Sequence, residues 1–111
     1  MAKTKNKIKM TVGSGNVFKD LGFPNAEELH TKVGLAVAIN QLIESKRLTQ
    51  AEAAKRLKVS QPKVSALLNY RLEGFSVERL MKYLNALGSD VVIMVRKVHT
   101  RRPAKINVIA A

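Results

Sequence analysis

Residues 48–71 of the chain, LTQAEAAKRLKVSQPKVSALLNYR, predict two short helices joined by a tight turn. Thr49 can cap the first helix, because its side-chain oxygen can accept a backbone N–H that has no partner in the first turn. This helix is expected to end at Leu57. Ser60 is a second capping residue, and Pro62 lies in the first turn after it, where the missing N–H costs nothing. The two helices are therefore so close in sequence that they must cross.

The predicted pair of helices has an apolar side and a polar side. Ala53 and Ala54 are small enough for close approach at the crossing. Larger apolar side chains can meet beneath it, at Leu57, Val59, Val64 and Leu67. The exposed side of the second helix and the residues after it carry amides, a hydroxyl, cations and an aromatic ring. This polar row consists of Gln61, Lys63, Ser65, Asn69, Tyr70 and Arg71.

The polar row has the chemistry that base edges in the DNA major groove require. Gln can bond adenine through two hydrogen bonds, Lys reaches guanine or phosphate, and Ser approaches either without blocking the groove. Gln50 and Arg71 lie where such a motif holds phosphates. A helical hairpin that only packs a core would explain the apolar side but not the polar row. The predicted DNA-binding residues are Gln50, Ser60, Gln61, Lys63, Ser65, Asn69, Tyr70 and Arg71.

The spacing of the motif resembles the repressor-type helix-turn-helix of phage repressors and Xre-type regulators. The residues that carry the resemblance are Gln50, Ala54, Val59, Val64 and Leu67. Lys58 departs from the pattern, because that family often has Gly at this position of the turn. A left-handed backbone there would cost Lys about 1 kcal/mol.

With its flanks included, the chain resembles the Xre-family antitoxins of HigA type over residues 16–98. The resemblance implies a transcriptional regulator that represses its own operon and neutralises a RelE-like toxin, which cleaves messenger RNA on the ribosome. It carries over as DNA-binding residues Gln50, Gln61, Lys63, Ser65, Asn69 and Arg71. It does not identify the toxin-binding surface. Two alternatives stay open: a stand-alone prophage-type repressor without a toxin, and a protein-interaction module that binds no operator DNA.

Residues 16–90 are expected to form one mainly helical, repressor-like domain around the motif. A short apolar lead-in precedes a long helix that opens at Asn25, where Asn25 and Glu28 resemble a capping box. Gly34 lies inside this helix and permits a bend. A last amphipathic helix is expected to stop at Gly88.

Residues 91–111 are predicted to form a C-terminal β-strand and a basic tail. The run VVIMVRKV at residues 91–98 is β-branched, which suits a strand better than another amphipathic helix. We predict that this strand pairs antiparallel with its twofold mate in a homodimer. The dimerisation residues on one of its faces are Val91, Ile93 and Val95. A hairpin with a second short strand at residues 105–109 and docking against the toxin are the alternatives.

The composition limits the chain to a small protein without disulfides. Its 111 residues, 46% of them hydrophobic and 5% aromatic, can form one domain with an aliphatic core. The absence of cysteine excludes disulfides and thiolate zinc sites and fits a cytoplasmic location. No signal peptide or membrane-spanning run is evident. His30 and His99 lack metal-ligand neighbours and are expected to be solvated or weakly packed, and without a catalytic constellation no enzyme activity, metal or cofactor is expected.

The net charge of +12 is concentrated at the two ends of the chain. Residues 1–19 contain five lysines, residues 91–111 contain five Lys or Arg residues, and neither stretch contains an acid. Double-stranded DNA is the natural polyanionic partner, because neutralised phosphates release counterions. A ribosomal protein, binding to a membrane surface and merely solvated tails would also explain basic ends. Residues 1–15, which include a Gly-Ser-Gly segment, are predicted to be a flexible basic arm.

Overall fold

The computed structural model describes residues 16–110, and the backbone forms five helices within them. These are α1 (Val17–Asp20), α2 (Ala26–Ser45), α3 (Gln50–Leu57), α4 (Gln61–Leu68) and α5 (Val77–Ala86). The prediction of a mainly helical domain is confirmed, and α3 and α4 are the two helices predicted from residues 48–71. The basic arm predicted at residues 1–15 lies outside the described residues.

The core lies where α2 crosses α4 and α5. Five large side chains from these helices and the residue after α5 are 0–1% exposed, namely Ile39, Val64, Leu67, Leu80 and Leu87. Full burial of such a side chain is worth about 1.5–3 kcal/mol relative to exposure. One polar contact joins α2 to α4, because the Asn40 Nδ2 atom donates to the Leu67 carbonyl oxygen over 3.5 Å. The long helix α2 therefore fixes the position of α4 through shared core side chains and through this hydrogen bond near the end of α4.

The first turn of α2 differs from the prediction. Asn25 makes no side-chain capping hydrogen bond, so the predicted capping box is wrong. The reason is its backbone, at φ −111° and ψ 42°, since an N-cap side chain reaches the first turn from an extended conformation. Glu28 instead forms an ion pair with Lys32, with 3.4 Å between Glu28 Oε2 and Lys32 Nζ.

Gly34 is a contact point in α2, which continues through it as one helix. A Cβ atom built on Gly34 would lie 2.7 Å from the Cβ atom of Val108. Real Cβ atoms do not approach that closely, so the C-terminal segment packs directly on the helix backbone. The glycine is thus explained by the close approach of Val108, which the sequence pattern did not predict.

All five described helices end with the same left-handed turn. The positive-φ residues are Gly22, Arg47, Lys58, Tyr70 and Gly88. After each of them the next amide donates to a carbonyl five residues back, over 2.9–3.0 Å. This pattern satisfies carbonyls that the helix end leaves unpaired. Two of the five positions are glycine, and the other three carry the steric strain of a Cβ atom in this conformation.

Residues 91–110 contain bends at residues 100–102 and form no strand within the part of the chain that the structure describes. The strand predicted at residues 91–98 and the shorter one at residues 105–109 are therefore wrong for the single chain. A strand requires a ladder of backbone hydrogen bonds to a neighbour, and none joins these two segments. The alternative of a hairpin within the chain is not observed either.

We predict that Lys58→Gly stabilises the domain. Lys58 has φ 61°, and glycine removes the steric cost of a Cβ atom there, which is about 1 kcal/mol. The free energy of unfolding in urea measures the gain. Lys58→Ala is the matched control, because it removes the charged side chain but keeps the Cβ atom. An equal gain in both variants would show that charge, and not backbone strain, was relieved.

A second prediction concerns the contact between α2 and the C-terminal segment. Gly34→Ala should gain about 1 kcal/mol of helix propensity only in a chain that ends at Arg102. In the full chain the new methyl group displaces Val108, so we expect a smaller gain or a loss. The free energy of unfolding in urea is measured for both chain lengths, each with Gly34 and with the Gly34→Ala substitution. The difference between the two effects of the substitution is the coupling energy between position 34 and the C-terminal segment. The same gain in both lengths of chain would contradict the observed packing.

Candidate nucleic-acid interface

The start of α3 is fixed by a complete capping box. The Glu52 amide donates to Thr49 Oγ1 over 3.1 Å, and the Thr49 amide donates to Glu52 Oε1 over 2.8 Å. Both interactions are local, which explains why the sequence predicted this end correctly. Gln50 is the first residue of the helix, and its side chain is exposed beside the cap.

The start of α4 is fixed in a similar way. Ser60 Oγ accepts a hydrogen bond from the Lys63 amide over 3.4 Å, and Pro62 occupies the first turn. The inner side of the helix is set by Val64 and Leu67, which are 0% and 1% exposed. Because these two residues are buried three positions apart, the opposite side of α4 must face solvent.

The residues predicted to contact DNA lie on this outer side or at the two ends of α4. Gln61 is exposed at its start and Asn69 at its end, while Ser65 between them is half-buried. The Asn69 Nδ2 atom donates to the Ser65 carbonyl oxygen over 2.8 Å, which closes the last turn. Tyr70 is 45% exposed and holds the left-handed turn that follows. The structure therefore brings the predicted polar row together along one helix.

Lys63 differs from the rest of the row, because its side chain contacts the loop after α4. Its Nζ atom donates to the Gly74 carbonyl oxygen over 3.4 Å and lies 4.7 Å from the centroid of the Phe75 ring. Phe75 is buried and meets Tyr83 of α5 edge-to-face, with 6.0 Å between the ring centroids. Lys63 thus joins the start of α4 to α5 through an aromatic pair.

A shallow concavity of about 360 Å³ lies beside Lys63. Arg71 forms part of its wall, and Glu73 supplies an acidic group on the same wall. The Arg71 amide donates to the Ala66 carbonyl oxygen over 2.9 Å, so the residue has a fixed backbone position at the end of α4. The side chain of Arg71 is exposed at this position.

Three cations close to the motif were not among the DNA-binding residues predicted from the sequence. Lys55 and Arg56 on α3 and Lys58 in the turn are all exposed, and no ion pair engages them within residues 16–110. Free cations beside a polar helix can neutralise phosphates without base preference. Their spacing relative to the buried residues Ala53, Ala54 and Leu57 is the signal that could have identified them.

The predicted dimerisation residues do not form one buried face in this structure. Val91 is half-buried against the core, whereas Ile93 and Val95 are 74% and 90% exposed. Their neighbours Val92 and Met94 are also exposed, at 83% and 75%. The four consecutive side chains from Val92 to Val95 are therefore exposed to solvent.

No group of three or more His, Cys, Asp or Glu side chains in the described residues could hold a metal ion. None of the helices in residues 16–110 combines the length and the apolar character that crossing a membrane requires.

Comparisons with known proteins agree with this geometry. A family profile described as a helix-turn-helix domain matches residues 17–96. A solved structure described as a candidate XRE-family transcriptional regulator is 60% identical over 79% of this chain and 100% of that chain, with a TM-score of 0.75. The search of curated proteins finds no significant match. The motif, its exposed polar row and these likenesses together show that the chain belongs to the XRE family of helix-turn-helix transcriptional regulators, a family of DNA-binding proteins and not of enzymes.

Proposed function

We propose that this protein is a sequence-specific repressor that places α4 in the major groove of a double-stranded operator. The polar row on the solvent side of α4 is the observation that carries the proposal. Core packing alone does not account for the presence of Gln61, Ser65 and Asn69 together on the outer side of α4. Amide and hydroxyl groups at such spacing suit the donors and acceptors of successive base edges.

The contacts divide into those that read bases and those that hold the backbone. Gln61 projects from the start of α4 and is the first candidate for a bidentate bond to adenine. Gln50 at the start of α3 and Arg71 after α4 flank it and are placed as phosphate contacts. Ser60 is a capping residue, and its role toward DNA is the positioning of the first turn. Lys63 is engaged with Gly74 and Phe75, which favours positioning or phosphate binding over base reading.

This division of contacts predicts different behaviour for two variants. Gln61→Ala should relax specificity at one base pair and cost about 1–3 kcal/mol of operator affinity. Arg71→Ala should weaken all sequences alike and reduce the salt slope by about one unit. Titration of operator and scrambled duplexes at several salt concentrations measures both effects. Unchanged operator affinity in both variants would refute the assignment of this face to DNA.

We further propose that the protein is an antitoxin, which neutralises a RelE-like toxin in the cytoplasm and represses the operon of the pair. The support is the resemblance of residues 16–98 to HigA-type antitoxins. Co-expression with the product of the neighbouring gene tests the proposal through rescue of growth and co-purification. A toxic neighbour that this protein leaves active would favour a stand-alone prophage-type repressor. Failure to shift its own upstream DNA would instead favour a protein-interaction module.

A homodimer held by residues 91–98 is part of the proposal. One helix-turn-helix reads few base pairs, so specific binding normally uses two copies about 34 Å apart on one face of the duplex. This segment offers unpaired backbone groups together with exposed Ile93 and Val95. Antiparallel pairing with its twofold mate would satisfy these groups and cover part of the apolar surface.

The dimer proposal predicts the effect of a proline in the middle of the segment. Ile93→Pro removes a donor from the proposed ladder and should convert a dimer into a monomer at micromolar concentration. Mass in solution is measured by light scattering, and circular dichroism checks the helices. Ile109→Pro is the matched control, since Ile109 is also exposed but lies outside the segment. A folded Ile93→Pro variant that stayed dimeric would exclude this segment as the contact.

A further inference from the structure

A second cavity lies at the opposite end of α2 from the motif. It has a volume of about 210 Å³ and is enclosed by α1, the first turns of α2 and the C-terminal segment. Much of its surface is apolar, but most of the charged residues in the lining are basic. The lining consists of Asn16, Lys19, Glu27, His30 and residues 102–106. His30, which lines the cavity, precedes Asn40 by ten residues on α2, which corresponds to roughly 15 Å along the helix axis. Asn40 is the residue at which α2 contacts α4. The cavity is therefore separate from the DNA-binding surface.

His30 is the most informative residue of the lining. Sequence reasoning expected a solvated or weakly packed side chain, but His30 is only 7% exposed. Within residues 16–110 its imidazole ring has no hydrogen-bond partner, although the ring lines the cavity. An imidazole carries an N–H donor in either protonation state, and the ring nitrogens of His30 are accessible from the cavity. A ligand in the cavity would supply the missing acceptor.

The surroundings of His30 favour an anionic ligand. The first turn of α2 has no side-chain cap from Asn25, so its amides and the positive end of the helix dipole remain available near Glu27 and His30. Lys19 and Arg102 line the same cavity. The Arg102 Nη1 atom donates to the Pro103 carbonyl oxygen over 3.0 Å, which fixes the guanidinium at the rim. Glu27 opposes anion binding, so a modest affinity is expected.

We propose that this cavity binds a small phosphate-type oxyanion, with His30 and Arg102 as hydrogen-bond donors and Lys19 as a nearby positive charge. A bound anion would join three parts of the chain that contribute to the lining, namely α1, α2 and the C-terminal segment. The segment reaches Val108 on α2 shortly after Arg102, so the anion would hold it against the helix at a second point. The same segment continues from the residues proposed for dimerisation, and anion binding would limit its movement.

The two histidines of the chain permit a direct test by nuclear magnetic resonance. Inorganic phosphate is titrated into the full-length protein at constant pH and ionic strength, with chloride as the balancing anion. The imidazole signals of His30 should shift and saturate, whereas those of exposed His99 should not respond in the same way. Parallel shifts of both histidines, or none at His30, would overturn the proposal. A response of His30 to non-operator duplex DNA but not to free phosphate would also overturn it.

Variants separate a built site from general attraction to a basic protein. Arg102→Ala should weaken phosphate binding about tenfold, as expected for loss of a charged hydrogen bond. Arg101→Ala is the matched control, since Arg101 is exposed and does not line the cavity. Glu27→Gln should tighten binding, because it removes the opposing charge while keeping the shape. Equal losses for Arg101→Ala and Arg102→Ala, or weaker binding by Glu27→Gln, would contradict the site.

Discussion

The burial of Val64 and Leu67 beneath α4 is the constraint on which the motif depends. These side chains pack in one core with Ile39 of α2 and Leu80 of α5, and all four are at most 1% exposed. A helix with two such anchors cannot rotate about its axis without exposing them or burying polar groups. The core therefore decides which side of α4 is presented to solvent, and the polar row follows from that decision.

The helix ends show how much local strain this compact arrangement contains. Arg47, Lys58 and Tyr70 adopt left-handed backbone conformations that glycine adopts at no steric cost, and each precedes a hydrogen bond back into the helix it terminates. Each such position costs about 1 kcal/mol or more. The buried core offsets this cost, since even one fully buried leucine is worth more. The short connections between α2, α3 and α4 are the result.

The C-terminal segment differs from the helical domain in how it is held. Val108 packs against Gly34 on α2, and Arg102 lines the same cavity as His30, whereas Ile93 and the apolar residues next to it are exposed. Exposed apolar side chains with unpaired backbone groups are an unstable combination in water. The segment thus has one part that packs on the helical domain and another part whose apolar side chains lie in solvent.

The sequence by itself determined α3, α4 and the polar row, because capping by Thr49 and Ser60 and the spacing of apolar residues act within a few positions along the chain. It did not determine the uncapped start of α2 or the left-handed end of α4 at Tyr70. It also did not reveal that Lys63 contacts Phe75, or that Gly34 receives Val108. The contacts of Lys63 with Phe75 and of Gly34 with Val108 join residues that lie 12 or more positions apart, and only the packed structure specifies them. The β-branched run at residues 91–98 shows the same limit, since a strand needs a neighbouring backbone that local propensity cannot supply.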